Sequence, residues 1–176
     1  MRAPLLLLPL LVLTACRVDD APAAPAEPAP APQEATTVPA SVVAPADAPT
    51  VTVYKSPTCG CCSMWVEHLE ASGFEVESVD RDDMGAVKDS LGVPSHLSSC
   101  HTAVVGDYVV EGHVPAEHVA RMLEEQPEAR GLAVPGMPIG SPGMEQGDRR
   151  DPYDVVVFDA AGDGAVFAHV EGNTRP

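Results

Sequence analysis

The sequence predicts an α/β fold for the region from Thr50 onward. Short apolar runs alternate there with stretches of helical periodicity, a pattern typical of strands that are followed by helices. Glycine and proline residues stand at the junctions and interrupt each pattern. Two later pairs of apolar runs are each separated by a few turn residues, which indicates two β-hairpins. The region is long enough to form one domain with a modest core.

Each predicted element has a local reason to begin or end. Gly73 stops the first helix, and Asp82 and Asp83 can cap the second. Gly106-Asp107 joins the strands of the first hairpin, and Pro115 suits the first turn of the third helix. The predicted elements, in chain order, are strand 51–54, helix 62–72, strand 74–80, helix 84–91, strands 102–105 and 108–110, a helix from Pro115, and strands 153–158 and 165–170.

The order of these elements up to the third helix is that of a thioredoxin or glutaredoxin fold. Its first strand–helix–strand unit is parallel with a right-handed crossover. Residues 131–147 lack periodicity and are rich in turn residues, so we predict a loop there, and the second hairpin follows it. We therefore predict a thioredoxin/glutaredoxin-like domain over residues 50–172, with a C-terminal Gly/Pro loop and β-hairpin extension.

Residues 1–15 predict a bacterial lipoprotein signal peptide. Arg2 supplies a positive charge, and the apolar run from Leu5 to Leu13 has the length of a signal core and is too short to span a membrane as a helix. The run ends in Leu13-Thr14-Ala15-Cys16, which resembles the lipobox whose cysteine is lipidated. The alternative is an ordinary secretory signal with a cleavage site that adjoins a cysteine.

Residues 16–49 are predicted to be a tether between the lipid anchor and the domain. They are rich in proline and alanine and contain no aromatic residue, so they cannot bury a core and are expected to be disordered or extended. A lipidated Cys16 would anchor the protein to a membrane, and we expect it in the cell envelope, facing the periplasm. Arg17 follows the anchor cysteine instead of aspartate, which would favour the outer membrane if the cell is Gram-negative.

The acidic composition excludes some classes of partner. The chain has 26 acidic residues against 10 basic ones, and its formal net charge is −16. This charge argues against binding to nucleic acid and against direct contact with anionic lipid headgroups. If Cys16 is lipidated, four cysteines remain for the domain. Because an exported chain allows disulfides, two structural disulfides remain an alternative to a thiol site.

Three of the five cysteines lie together in the segment Cys59-Gly60-Cys61-Cys62, between the first predicted strand and the first helix. The unpaired N–H groups at a helix start stabilise a thiolate and lower the pKa of its thiol. The small residue Gly60 lets adjacent thiols converge. Thiolates bind soft metal ions and attack disulfides, so this segment predicts one of these two activities.

A second cysteine stands where it could meet the first three. In thioredoxin-like folds the loop before the hairpin lies against the cysteine segment, and here it carries Cys100 and His101. These residues could face Cys59 and Cys62. That loop normally contains a cis-proline, and its absence here departs from ordinary disulfide exchangers.

Four segments carry a resemblance to a known family: Tyr54-Lys-Ser-Pro-Thr-Cys-Gly-Cys-Cys62, Ser99-Cys-His-Thr-Ala103, Val110-Glu-Gly-His-Val-Pro-Ala116 and Gly131-Leu-Ala-Val-Pro-Gly-Met-Pro-Ile-Gly-Ser-Pro-Gly-Met-Glu145. The chain from about residue 50 to 170 resembles the "domain of unknown function 411" family, described as predicted metal-binding, thioredoxin-like proteins of bacteria. The resemblance implies metal binding, most often linked with copper handling in the cell envelope.

The candidate metal ligands are soft sulfur or imidazole donors: Cys59, Cys61, Cys62, Cys100, His101, His113, Met137 and Met144. Thiolate and thioether donors select Cu(I), for which Cys59 and Cys62 alone could suffice. His113 could instead serve the start of the third helix, and each loop methionine could instead serve packing.

Zinc is the second choice of metal, bound by three cysteines and a histidine in a closed tetrahedron of Cys59, Cys62, Cys100 and His101. An iron–sulfur cluster is the third, because adjacent cysteines suit it poorly. His68, His96, His118 and His169 are assigned no role, and Trp65 is expected in the core.

The sequence therefore predicts an envelope lipoprotein that binds Cu(I) in copper homeostasis or resistance, either as a buffer or as a metallochaperone for a copper-handling partner. The rival prediction is a thiol–disulfide oxidoreductase in which Cys59 attacks and Cys62 resolves. A third alternative is a partner-binding module held by structural disulfides such as Cys59–Cys100.

Overall fold

The computed structural model describes residues 43–173 of the chain. The predicted signal peptide at 1–15, the lipidation site Cys16 and the tether as far as residue 42 lie outside the described residues. The elements are β1 (Val51–Lys55), α1 (Gly60–Ala71), β2 (Val76–Asp80), α2 (Met84–Leu91), a short 3-10 helix (Ser95–Leu97), β3 (Thr102–Val105), β4 (Tyr108–Glu111), α3 (Ala116–Glu125), β5 (Gly131–Ala133), β6 (Tyr153–Phe158) and β7 (Gly164–Val170).

The seven strands form one mixed sheet in the order β2-β1-β3-β4-β5-β6-β7. β1 and β2 are parallel, as are β4 and β5, and all other neighbours are antiparallel. The predicted α/β class and the predicted C-terminal hairpin are confirmed. Asp83 caps α2 through a hydrogen bond from the Ala86 N–H, and Gly92 ends this helix in the left-handed conformation, as the sequence indicates.

Apolar side chains are buried on both faces of the sheet. Alternate residues of a strand point to opposite faces, and in β4 the neighbours Val109 and Val110 belong to two different core clusters. The larger cluster contains the predicted core residue Trp65 and buried residues of α1 and α3. The smaller cluster lies near the end of α2 and includes Phe158 of β6. The sheet is thus packed on both faces, and the connecting loops project from it.

Strand β5 contradicts the prediction that all of residues 131–147 form a loop. It runs parallel to β4 and antiparallel to β6, and so joins the C-terminal hairpin to the rest of the sheet. A Cβ at Gly131 would lie 1.8 Å from the carbonyl oxygen of Val109, so only glycine allows this approach. A strand of three residues is too short to show a period of two, which is why the sequence pattern missed it.

Some predicted boundaries also differ from the structure, and strand β2 begins at Val76 instead of residue 74. Helix α1 begins at Gly60 instead of residue 62, so Cys61 and Cys62 lie in its first turn. The packed part of the chain begins before residue 50, because the backbone N–H groups of Val43 and Ala44 donate to the Ser72 carbonyl at 3.0 Å. The final residues of the predicted tether therefore lie against the domain instead of being disordered.

Candidate metal centre

The turn from β1 to α1 presents the three neighbouring cysteines. Cys59 is the N-cap residue of α1, and its carbonyl accepts the N–H of Ser63. A disulfide joins Cys59 to Cys62, while Cys61 and Cys100 are free thiols. The pairing Cys59–Cys100, which the sequence analysis considered as a structural bridge, is therefore not the one formed. Cys62 is buried, and Cys59 and Cys61 are partly exposed.

The loop that precedes β3 brings Cys100 to this turn. The Sγ atom of Cys100 lies 3.5 Å from that of Cys62 and 4.0 Å from that of Cys61. Cys61 Sγ in turn lies 3.5 Å from Cys59 Sγ. The sulfur atoms of all four cysteines lie within 4.8 Å of one another. Segments 38 residues or more apart thus meet in one sulfur cluster, as the sequence analysis expected.

His113, which follows β4, presents a bare ring nitrogen to the cluster. Its Nδ1 lies 2.8 Å from the carbonyl oxygen of Pro142, which can only accept a hydrogen bond, so Nδ1 carries the proton. The Nε2 atom is then unprotonated and lies 3.0 Å from Cys100 Sγ. A backbone carbonyl is one of the partners by which proteins fix the tautomer of a metal-binding imidazole.

His101 lies deeper than His113. Its side chain is fully buried, packs against Trp65 with ring centroids 4.4 Å apart, and places Nδ1 3.3 Å from Cys100 Sγ. Among the described residues, its Nε2 atom is a buried side-chain nitrogen with no hydrogen-bond partner. Cys100, His101 and His113 form a second group of potential ligands within 4.8 Å, and Cys100 belongs to both groups.

Burial sets the charge state of these donors. It lowers the pKa of His113 below its ordinary value and that of His101 well below it, so both imidazoles are neutral near pH 7. Burial, followed by the neighbouring Cys61 thiol, raises the pKa of Cys100 to about 12. A metal ion that binds Cys100 as a thiolate must therefore displace its proton.

The Gly/Pro loop packs against α1 and contacts His113 beside the cluster. Gly143 approaches the first turn of α1 so closely that a Cβ would lie 2.6 Å from the Cys61 carbonyl oxygen. The partly buried Met144 follows it directly in the chain. The other candidate methionine, Met137, is 53% exposed and lines a surface hollow with Tyr153 and other residues outside the cysteine cluster. The loop thus meets α1 beside Cys61, and the residues that line the hollow with Met137 include no cysteine or histidine.

Sequence reasoning missed a buried charged residue beside the site. Glu111 is completely buried at the end of β4, and its carboxylate accepts hydrogen bonds from the side chains of Lys88 and Thr102. It also accepts the backbone N–H of Ser99, the residue before Cys100. Glu111 lies in the segment Val110–Ala116, one of the four that resemble the family. An acidic residue beside a glycine is typical of a solvated turn, so the sequence did not indicate its burial.

The arrangement supplies the donor set that soft metal ions prefer. Four cysteine sulfurs and two neutral imidazoles converge from the β1–α1 turn, the loop before β3 and the end of β4. The same cluster can exchange disulfides, because two free thiols lie within 4.0 Å of disulfide sulfurs or of each other.

None of the described helices is long and apolar enough to cross a membrane.

Comparisons with known proteins agree with the motifs. The profile of the family described as "Protein of unknown function, DUF411" matches residues 97–144. Two solved structures, titled "Copper resistance protein copG" Form 1 and Form 2, are each 48% identical to the chain. Form 1 has a TM-score of 0.68 and covers 72% of this chain and 100% of its own. Form 2 has a TM-score of 0.66 and covers 69% of this chain and 98% of its own.

No curated protein sequence matches the chain. The matched segment includes Cys100, His101 and His113, and the two similar structures are matched over almost their whole length. The chain therefore belongs to the family described as protein of unknown function DUF411.

Proposed function

We propose that the protein binds Cu(I) in the cell envelope and acts in copper homeostasis or resistance. The observation that carries the proposal is the convergence of four cysteine sulfurs and two neutral imidazoles within two overlapping groups. The proposed ligands are Cys59, Cys61, Cys62, Cys100, His113 and His101, with the loop methionines Met137 and Met144 as auxiliary donors. Copper is the cargo in this proposal, which the protein buffers or passes to a copper-handling partner.

The donor set favours Cu(I) over other metal ions. Thiolates are soft ligands that select Cu(I), and neutral imidazole also suits copper. Zinc remains the alternative, since Cys59, Cys62, Cys100 and His101 could form a tetrahedral site. The titles of the two similar structures speak of copper resistance, which supports copper as the cargo here.

Full occupancy of the site requires reduction of the disulfide. A dithiol reductant supplies two electrons and two protons, the Cys59–Cys62 bond breaks, and the reductant becomes a disulfide. Binding then releases protons from the thiols that become thiolates. Within residues 43–173, the oxidised protein retains only Cys61 and Cys100 as thiols, so we expect it to hold copper less tightly.

The proposal also includes a thioredoxin-like fold for the core of the domain and a lipid anchor that places the protein at a membrane. The sheet order β2-β1-β3-β4, with β1 and β2 parallel, supports a thioredoxin-like core that β5 to β7 extend. The lipobox-like segment that ends at Cys16 supports a lipid-anchored protein facing the periplasm, at the outer membrane if the cell is Gram-negative.

Metal analysis of the reduced protein tests the proposal. The protein is loaded with Cu(I) under anaerobic conditions and desalted, and its copper content is measured beside that of Cys59→Ser, Cys100→Ser and Met144→Ala. We expect the wild type to retain copper and Cys100→Ser to lose the most, because Cys100 belongs to both groups. Met64→Ala is the matched control, since Met64 is an exposed methionine on α1. Desalted wild type without copper would contradict the proposal.

The disulfide itself supports a second candidate function, thiol–disulfide exchange. Cys59 is partly exposed at the N-terminus of α1, where it could attack a substrate, and Cys62 is buried behind it as the resolving cysteine. An insulin-reduction assay separates the two functions. Turnover that Cys59→Ser abolishes, in a protein that retains no copper, would favour the enzyme.

A further inference from the structure

An ion pair is buried beneath the loop that carries Cys100. Lys88 of α2 donates to Glu111 Oε1 at 2.5 Å, and Thr102 of β3 donates to Glu111 Oε2 at 2.6 Å. The lysine also donates to the Thr102 hydroxyl oxygen at 3.0 Å. The glutamate side chain is fully buried, and that of the lysine is 12% exposed. Buried charges are costly unless such partners surround them, so this arrangement needs an explanation beyond packing.

The third donor to Glu111 connects the ion pair to the site. The backbone N–H of Ser99 donates to Oε1 at 2.6 Å, and Ser99 directly precedes Cys100. A hydrogen bond to an ionised acceptor is about twice as strong as one between neutral groups. The carboxylate therefore holds the main chain one residue before the thiol that both ligand groups share.

Other contacts restrain the same loop from its remaining sides. The carbonyl of His101 accepts the N–H of Gly112 at 3.0 Å, and the Ser99 hydroxyl donates to the carbonyl of Gly136 in the Gly/Pro loop. Gly112 approaches Ser99 so closely that a Cβ would lie 2.5 Å from the serine Cβ. Cys100 thus has a restrained residue on each side, and Glu111 supplies the charged contact among these restraints.

We infer that Glu111 is a positioning residue that sets the place of the Cys100 thiol through its hydrogen bond to the Ser99 N–H. It binds no metal in this arrangement, because all three of its contacts are donors of the protein. The part of this inference that concerns copper rests on the proposed function. The part that concerns Cys100 does not, because it describes the metal-free protein.

Two substitutions separate the hydrogen bond from the charge. Glu111→Gln keeps the shape and one oxygen that can accept the Ser99 N–H, whereas Glu111→Leu removes every acceptor. In metal-free, dithiol-reduced protein, we expect Glu111→Leu to raise the rate of Cys100 alkylation by iodoacetamide about tenfold, the scale of one lost charge-assisted hydrogen bond. Glu111→Gln should remain within about threefold of wild type. Mass spectrometry of the peptide that contains Cys100 measures the rate.

Cu(I) affinity is the second readout, measured against a chromophoric Cu(I) chelator. Glu111→Leu should weaken Cu(I) binding about tenfold relative to wild type, whereas Glu111→Gln should keep most of the wild-type affinity. If the wild type binds no Cu(I), the proposed function fails, and the alkylation rates still decide the inference. If Glu111→Leu alkylates at the wild-type rate, Glu111 does not position Cys100 and the inference is overturned.

Two further variants exclude general loosening of the fold. Val110→Ala is the matched control, because it removes a buried side chain from the opposite face of β4 without touching Ser99. It should lower the melting temperature and leave the Cys100 alkylation rate unchanged, and an equal rise in that rate would overturn the inference.

The double variant Lys88→Met/Glu111→Leu replaces the ion pair by an apolar pair, which buried sites tolerate. Even if Glu111→Leu alone does not fold, this variant should show the same tenfold faster alkylation, and a wild-type rate would overturn the inference.

Discussion

At the scale of single residues, Cys100 shows how burial sets thiol chemistry. Its pKa is raised to about 12 by burial and then by the Cys61 thiol. We therefore predict that the alkylation rate of Cys100 in metal-free protein keeps rising between about pH 8 and pH 11, beyond the ordinary range of cysteine. Peptide mass spectrometry after timed alkylation measures this, and a plateau near the ordinary cysteine pKa would contradict it.

His169 shows the opposite effect on an exposed side chain. The Asp154 carboxylate, 2.6 Å from His169 Nδ1, raises the pKa of this histidine above its ordinary value. The contact is therefore fully formed below the ordinary histidine pKa and is lost as the pH rises through the higher pKa of the folded protein. We predict that Asp154→Asn lowers the His169 pKa, as measured by NMR titration. Glu171→Gln, which removes a more distant carboxylate at 3.7 Å, should have a smaller effect.

The convergence of the cysteines could be predicted from residues alone, but their supporting contacts could not. Two local patterns place these residues in a known topology. Cys59, Cys61 and Cys62 directly follow a predicted strand, and Cys100 directly precedes a predicted hairpin. The Lys88–Glu111 pair joins residues 23 positions apart in elements whose register the sequence does not specify. Which two of four neighbouring thiols form the disulfide likewise depends on three-dimensional geometry.

At the scale of elements, α3 begins without a capping side chain of its own. Pro115 occupies its N-cap position, and the N–H of Ala116 donates instead to Nε2 of His68 in α1 at 3.1 Å. The sequence pattern around His68 indicated no role for this residue. We predict that His68→Ala destabilises the protein by about 1 kcal/mol, the usual cost of a lost N-cap, as measured by urea unfolding at pH 7.5. His96→Ala, at an exposed histidine, is the control and should have little effect.

The same contact predicts a pH dependence. Only a neutral imidazole can accept the Ala116 N–H, and burial lowers the pKa of His68 below its ordinary value of 6.5. Its contribution to stability is therefore complete above the ordinary histidine pKa and is lost as the pH falls through the lowered pKa of the folded protein. The stability difference between wild type and His68→Ala should accordingly shrink in acid.

Strand β5 depends on the absence of a side chain at its first residue. We predict that Gly131→Ala destabilises the protein by about 3 kcal/mol or more, because its Cβ would overlap the backbone of β4. Gly136→Ala is the matched control, since its Cβ would meet no atom within 4 Å and only its positive φ of 70° is strained. This control should cost about 1 kcal/mol in the same urea unfolding experiment, and equal losses would contradict the prediction.

At the scale of the whole molecule, the sheet holds several distant segments at one place, so ligand binding should stabilise the entire fold. A ligand at about 100 times its dissociation constant adds about 2.7 kcal/mol to the free energy of unfolding. We predict that Cu(I) raises the melting temperature of the reduced protein and raises it less for Cys100→Ser, as measured by calorimetry. An equal rise for the oxidised protein, whose Cys59 and Cys62 are joined, would contradict the proposed ligand set.

The order of the elements apart from β5 was predictable because each of the longer strands and each α-helix carries its own local pattern, from β1 through the closing hairpin. The way the hairpin joins the sheet was not, since it depends on the three residues of β5. The packing of residues 43–49 against the domain was also missed, because their composition resembles that of the preceding tether.

The tight fit of Gly143 against the backbone of α1 means that the position of the Gly/Pro loop beside Cys61 depends on shape as well as on hydrogen bonds. A single added methyl group there would displace the loop and leave every cysteine and histidine of the protein unchanged. Loss of metal binding in such a variant would therefore come from a displaced loop. A mutational search confined to cysteine and histidine positions would overlook it.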